Sequence, residues 1–418
     1  MQVRRVAKSF GFIYRGFFIA SVLVISALLL SVYPVGNSLA ADTIKIGVPL
    51  PFSPPGSVSQ GSEAKAGIEV AVKMLNEKGG ILGRKVEVIY SDTEGIPEKG
   101  RSGAEKLITK DKVAAIVGNS HSSVGMAVAE VVHQYGVPFM NVNCWADAIR
   151  EKGYPEVFNT AVYNSRMAMA GAELIKSLGL KNVVAFAENT DFGIGLAKNL
   201  ETYVKKYSPE TKYKYEVLDR EAKDYAPAIL PLKADPPEMI VTILDPPAGY
   251  VVINQLYELG VAPSSKTWLL DVDALAELPD FWDNVSDAGQ MMLGVALFHP
   301  KMKITDLGKQ VREMHKKETD REASRVVFQG FDALWTMADG IKRAGSTDPK
   351  AIMAALRETK LEGTRGTISF DLEPGATFQQ WIDVPYAIIQ FTKVKQPLAD
   401  SAIVLPESIA TAKPQHPK

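Results

Sequence analysis

The stretch Val113–Val132, VAAIVGNSHSSVGMAVAEVV, limits the folds open to this chain more than any other. Residues 113–117 are continuously apolar, short and rich in β-branched side chains, as suits a parallel strand covered on both faces. Gly118 ends the run, and Asn119-Ser120-His121-Ser122-Ser123 follows as a polar turn. Ser122 or Ser123 can cap a helix that Met126, Val128, Val131 and Val132 continue. Free backbone N–H groups at a helix start, together with serine hydroxyls, attract an anion, most simply a carboxylate. The same serines serve equally well as plain helix caps.

The N-terminus points to export. Arg4, Arg5, Lys8 and Arg15 form a basic head, Phe17 to Tyr33 is apolar except for serines, and Ser38-Leu39-Ala40 supplies small-x-small. This pattern predicts a secretory signal peptide over residues 1–40, cleaved after Ala40. The apolar run is long enough that an uncleaved anchor is the alternative. Cleavage removes four basic and no acidic residues from totals of 47 and 48, leaving 378 residues of net charge −5. A mildly acidic chain without a basic stripe is a poor nucleic-acid binder. Cys144 is the only cysteine, which excludes an intrachain disulfide and a lipid-attachment cysteine at the cleavage site. A free periplasmic protein is expected.

The body alternates strand and helix. Thr43 to Leu50, Val86 to Ser91, residues 113–117 and Val137 to Met140 read as strands, with helices over Glu63 to Asn76 and Glu98 to Lys110 between them. A second set follows, with helices over Arg166 to Leu178 and Leu196 to Tyr207 and strands over Asn182 to Ala187, Tyr213 to Leu218 and Met239 to Leu244. Pro51 to Gly61 and Glu188 to Gly193 read as loops. One grammar used twice predicts an α/β protein of two doubly wound parallel-sheet lobes. Ligands of such sheets sit beyond the carboxyl ends of the strands, in a cleft between the lobes.

Several motifs then fall in a recognisable order. Asn76-Glu77-Lys78-Gly79-Gly80-Ile81-Leu82-Gly83 with Tyr90-Ser91-Asp92 is followed by Gly118 with Ser120 to Ser123, then Asp191-Phe192-Gly193-x-Gly and Lys223-Asp224-Tyr225. Gly330-x-Asp332-Ala333 and Gly366-x-Ile368-x-Phe370-Asp371 complete the set. Together they resemble the periplasmic leucine/isoleucine/valine-type binding proteins of ABC importers over about Thr43 to Lys395. The resemblance implies a type I periplasmic-binding fold whose lobes are joined by three crossovers. Lobe 1 would span residues 42–160 and 300–371, lobe 2 residues 161–299 and 372–395, with residues 396–418 as a loose C-terminal tail.

The resemblance also implies a ligand site. Ser122 and Ser123 match the serine pair that holds a ligand carboxylate, and Asn143 and Trp145 fall on the next loop, where a small residue or threonine is usual. Phe192 stands where a tyrosine is common, and Asp245 follows the strand whose loop carries an aromatic contact. Asp271 or Asp273 matches the acidic partner of an amino group. Trp145 and Phe192 suit an aromatic clamp from opposite lobes or, equally, core packing, and Asp271 and Asp273 suit a helix cap as well as a ligand contact.

The expected function is a periplasmic solute-binding component of an ABC importer, which captures an amino acid or related small carboxylate and passes it to a membrane permease. A ligand-sensing domain, or a binder of aromatic acids or amides, is the alternative. No cofactor or metal is expected, because His121 has no second ligand at metal spacing. No enzyme is expected either, since a G-x-S-x-G elbow and a glycine-rich phosphate loop are both missing from the sequence.

Overall fold

The computed structural model describes residues 43–417, so the expected signal segment lies outside the described residues. In the first half, β1 (Ile44–Leu50), β2 (Val86–Asp92), β3 (Ala115–Gly118), β4 (Phe139–Asn141) and β5 (Val157–Asn159) form one parallel sheet in the order β2-β1-β3-β4-β5. Helices α1 (Val58–Glu77), α2 (Pro97–Thr109), α3 (Ser122–Tyr135) and α4 (Ala148–Glu151) connect the strands. The central strands are buried along nearly their whole length, which is why they read as unbroken apolar runs.

A second sheet begins after α5 (Asn164–Ser177). Its strands β6 (Asn182–Glu188), β7 (Lys212–Leu218), β8 (Met239–Ile243), β9 (Trp268–Asp271) and β10 (Leu293–Ala296) are parallel, in the order β10-β9-β8-β6-β7. They alternate with α6 (Asp191–Tyr207), α7 (Ala226–Ile229), α8 (Ala248–Glu258) and α9 (Phe281–Val285). The chain then returns to the first lobe as α10 (Asp306–Thr319), α11 (Arg325–Ala344) and α12 (Pro349–Arg357), with a short hairpin of β11 (Leu361–Glu362) and β12 (Thr367–Ile368). It crosses back a last time to add β13 (Ala387–Gln390) and β14 (Ala402–Leu405) to the second sheet. Two lobes and three crossovers define the type I periplasmic-binding fold. Among the described residues no helix is long and apolar enough to cross a membrane.

The return of α11 depends on close packing against α1. A Cβ on Gly67 would stand 1.9 Å from the Val327 carbonyl oxygen, and one on Gly330 would stand 2.3 Å from that of Ala64. Paired glycines let the two helix backbones touch, which fixes α11 over the first sheet and brings its first residue, Arg325, to the interlobe seam.

Three expectations need correction. The second sheet is mixed, because β13 pairs antiparallel with both β10 and β14. Residues 396–418 are no loose tail: β14 joins the sheet, Gln415 and Gln390 exchange hydrogen bonds at 2.7 and 2.9 Å, and the His416 ring lies 3.7 Å from that of Trp268. The surrounding Pro and Ser hid a four-residue apolar strand, Ala-Ile-Val-Leu, whose Ile403 and Val404 are buried. Finally, α1 and α6 start earlier than expected, at Val58 and Asp191. Thr190 caps α6 by accepting from the Gly193 N–H at 3.3 Å.

Candidate functional site

The loops at the carboxyl ends of the strands enclose a cavity of about 420 Å³. From the first lobe it is walled by Pro55 after β1, by Gly95, Ile96 and Pro97 after β2, and by His121, Ser122 and Ser123 after β3. From the second lobe come Glu188, Asn189 and Thr190 at the end of β6, Asp219, Arg220 and Glu221 after β7, and Asp245 after β8. Glu188 and Asp245 are buried, Arg220 is half-buried, and Asp219 and Glu221 are exposed, so carboxylates flank the cavity in both settings.

Residues of the two lobes hold one another beside this cavity. Gln60 on α1 donates to Asp245 Oδ1 at 3.1 Å and accepts from Asn143 Nδ2 at 3.0 Å. The Asp191 N–H donates to Ser123 Oγ at 3.3 Å, and Asn199 donates to Asp147 at 2.7 Å. Asn143 Oδ1 in turn accepts from the Trp145 indole at 2.8 Å and from Arg325 at 2.9 Å. Arg325 is the hub of this seam. Its guanidinium lies 5.0 Å above the Trp145 ring, donates to the Asp273 carbonyl at 3.0 Å, and stands 3.8 Å from the Glu277 carboxylate.

Burial controls the protonation of this seam. It pushes Glu188 up to about 7, helped by the nearby charge of Asp245, and pushes Asp271 and Glu277 up to about 7 against their backbone hydrogen bonds and Arg325. Asp273 is driven well above the usual carboxylate range, again mainly by burial. Burial lowers His121 to about 4, so its imidazole is neutral at physiological pH. Its Nε2 accepts from the Ser57 N–H at 3.3 Å, which assigns the ring proton to Nδ1, an atom with no partner in the protein.

Of the expected ligand residues, Ser122, Ser123 and Asp245 line the cavity. Ser122 Oγ already accepts from the N–H groups of Trp145 and Ala146 at 3.1 Å each, so it also fixes the loop after β4. Asn143, Trp145, Phe192 and Asp271 do not line it. Trp145 and Phe192 meet edge to face with ring centroids 5.6 Å apart, and Asp271 caps its own loop by accepting from the N–H groups of Asp273 and Leu275. Sequence reasoning missed Glu188, Arg220, Gln60 and Arg325. Glu188 and Arg220 stand at strand ends that the alternation located, so the loop rule could have named them. A buried arginine at a helix start leaves no local signature.

A two-lobed α/β chain with a solute-sized cavity between its strand ends has the architecture of a cleft-type solute receptor. The chain belongs to the family described as periplasmic binding protein, whose profile matches residues 43–390. It is 25% identical over 336 residues to a Leu/Ile/Val-binding protein homolog of Brucella melitensis, a match covering 80% of this chain and 88% of the relative. It is 26% identical to the leucine-, isoleucine-, valine-, threonine- and alanine-binding protein of Pseudomonas aeruginosa, covering 80% and 87%. Among solved structures, a leucine-binding protein of Thermotoga maritima superposes with a TM-score of 0.76 at 23% identity, covering 86% of this chain and 97% of that one. A solute-binding protein of R. palustris in complex with benzoate superposes with a TM-score of 0.73 at 19% identity, covering 88% and 99%.

Proposed function

We propose that this protein is the periplasmic receptor of an ABC importer and takes an amino acid between its lobes. The observation that carries this reading is the cavity itself, with hydroxyl and N–H donors on the first-lobe side and four carboxylates around Arg220 on the second-lobe side. Ser123 and the N–H groups that open α3 suit a carboxylate, and His121, whose Nδ1–H has no protein partner, lines the same wall. Glu188 and Asp245 suit an ammonium. Relatives named for branched-chain amino acids support the class of solute, and the benzoate complex supports a small acid as the wider class.

Between these, the site favours an amino acid over an aromatic acid. Trp145 and Phe192 spend their faces on each other and on Arg325, whereas the cavity wall carries four carboxylates that a solute with no positive charge leaves unmatched. Export through the segment 1–40 and hand-over to a permease belong to the same proposal. A thermal-shift panel of amino acids, amides and aromatic acids tests it. A solute at about 100 times its dissociation constant adds roughly 2.7 kcal/mol of stability, a shift of a few degrees for a chain of this size.

A further inference from the structure

The carboxylates of the cavity outnumber what the ammonium of an amino acid needs. Glu188, Asp219, Glu221 and Asp245 all line it, and none of the four is in an ion pair among the described residues. The one cation on the wall, Arg220, is itself without an ion-pair partner among them. Most acidic residues on a surface are free in water at little cost, but Glu188 and Asp245 are buried side by side, Arg220 supplies the only positive charge acting on Glu188 from the cavity wall, and a further cation there would favour the ionised form that burial disfavours. The existing bonds satisfy them as dipole acceptors only: Glu188 accepts from the Thr190 hydroxyl and the Asp245 N–H, and Asp245 accepts from the Gln60 amide. No three His, Cys, Asp or Glu side chains among the described residues converge as a metal ion requires. The charge therefore suits an organic cation.

A second, independent feature orients that cation. His121 is buried on the same cavity, and its proton-bearing Nδ1 has no protein partner. It comes from the first lobe, as do Ser123 and the start of α3, so donors gather on that side. All four carboxylates come from the second lobe, where they outnumber the single cation of that wall, Arg220, by three. From this segregation we infer that the cleft selects a solute with two positive charges, an amino acid whose side group is an ammonium or a guanidinium. The solute's acceptor end meets the donors of the first lobe, and its two cationic groups meet the carboxylates of the second. The inference rests on the receptor reading above and narrows it from amino acids in general to basic ones.

Isosteric pairs isolate the side-group charge. Calorimetry on unfolded and refolded, solute-free protein would compare L-arginine with L-citrulline and L-lysine with L-2-aminoheptanoic acid, with L-leucine and benzoate as further probes. The expected result is at least ten-fold tighter binding of the charged member of each pair. Asp219→Asn with Glu221→Gln, both exposed and safe for folding, brings the ratio of arginine to citrulline affinity down several-fold, and Asp245→Asn brings it close to one. A general loss of structure lowers both affinities and leaves the ratio unchanged, which counts against the inference. Tighter binding of L-leucine or benzoate than of arginine and lysine overturns the inference and leaves the receptor reading standing. Failure of all six probes overturns the inference, and failure of the remaining L-amino acids as well overturns the receptor reading.

Discussion

Trp145 and Phe192 meet edge to face across the interlobe seam, ring centroids 5.6 Å apart at an interplanar angle of 86°, with the Arg325 guanidinium over the indole. The pair therefore acts first on the stability of the joined lobes. Replacing Phe192 by Ala removes a buried aromatic from a packed contact and should cost about 3–4 kcal/mol of unfolding free energy. Chemical denaturation of the variant checks this, with the midpoint falling well below that of the parent chain.

Arg325 supplies the second prediction. It and Glu277 are both fully enclosed, 3.8 Å apart, and the Glu277 carboxylate also accepts from the N–H groups of Leu297 and Phe298. Arg325→Ala leaves that carboxylate without its countercharge and strips Asn143 of a donor, at a cost of about 3–5 kcal/mol. Adding Glu277→Gln to Arg325→Met should recover part of the loss, because a neutral amide no longer needs the guanidinium although it can accept from only one of the Leu297 and Phe298 N–H groups. Melting temperatures of the single and double variants read the coupling directly.

The fold was far more legible in sequence than the site. Strand–helix alternation is written by residues that must be apolar to be buried, such as Val48, Ile116 and Ile243, so the two sheets could be read in order. What α11 brings to the seam could not. Arg325 reaches Asn143, 182 positions away, because Gly67 and Gly330 let two helices touch, and nothing near Arg325 in the chain announces that partner. The sequence left the roles of Trp145 and Asp271 open between ligand contact and packing or capping for a related reason. Loop position says where a side chain starts, whereas the arginine and the backbone N–H groups it meets decide what it does.

Acid–base titration gives a third prediction. Glu188, Asp271 and Glu277 have folded-state values raised to about 7, so their contribution to stability is complete at low pH and is lost as pH rises through 7. His121 is lowered to about 4, so its contribution is complete above 6.5 and is lost as pH falls through 4. With Asp273 and Asp332 also raised by burial and His299 and His315 also lowered by it, five carboxylates outweigh three imidazoles, and the solute-free protein should lose stability from pH 5 to pH 8. Glu188→Gln should flatten that decline by an amount on the order of 2 kcal/mol, measured by denaturation at each pH.

The two serines should separate. Ser122 Oγ fixes the N–H groups of Trp145 and Ala146, and Ser122→Ala leaves two buried donors unsatisfied, costing roughly 1–3 kcal/mol of stability. Ser123 Oγ accepts only from the Asp191 N–H, and Ser123→Ala should change the melting temperature little while weakening solute binding about ten-fold or more. Differential scanning calorimetry and titration calorimetry on the same pair of variants distinguish the roles.

The central claim is that the cavity between the lobes is the solute site, with Ser123 on one wall and Asp245 on the other. Its most direct test is a thermal-shift panel of the twenty L-amino acids run on the wild-type protein and on the double variant Ser123→Ala with Asp245→Asn. At least one amino acid should raise the wild-type melting temperature by several degrees, and that shift should vanish in the double variant while its own solute-free melting temperature stays within a few degrees of wild type. A wild-type protein that no amino acid stabilises, or a shift that survives unchanged in the double variant, contradicts the account.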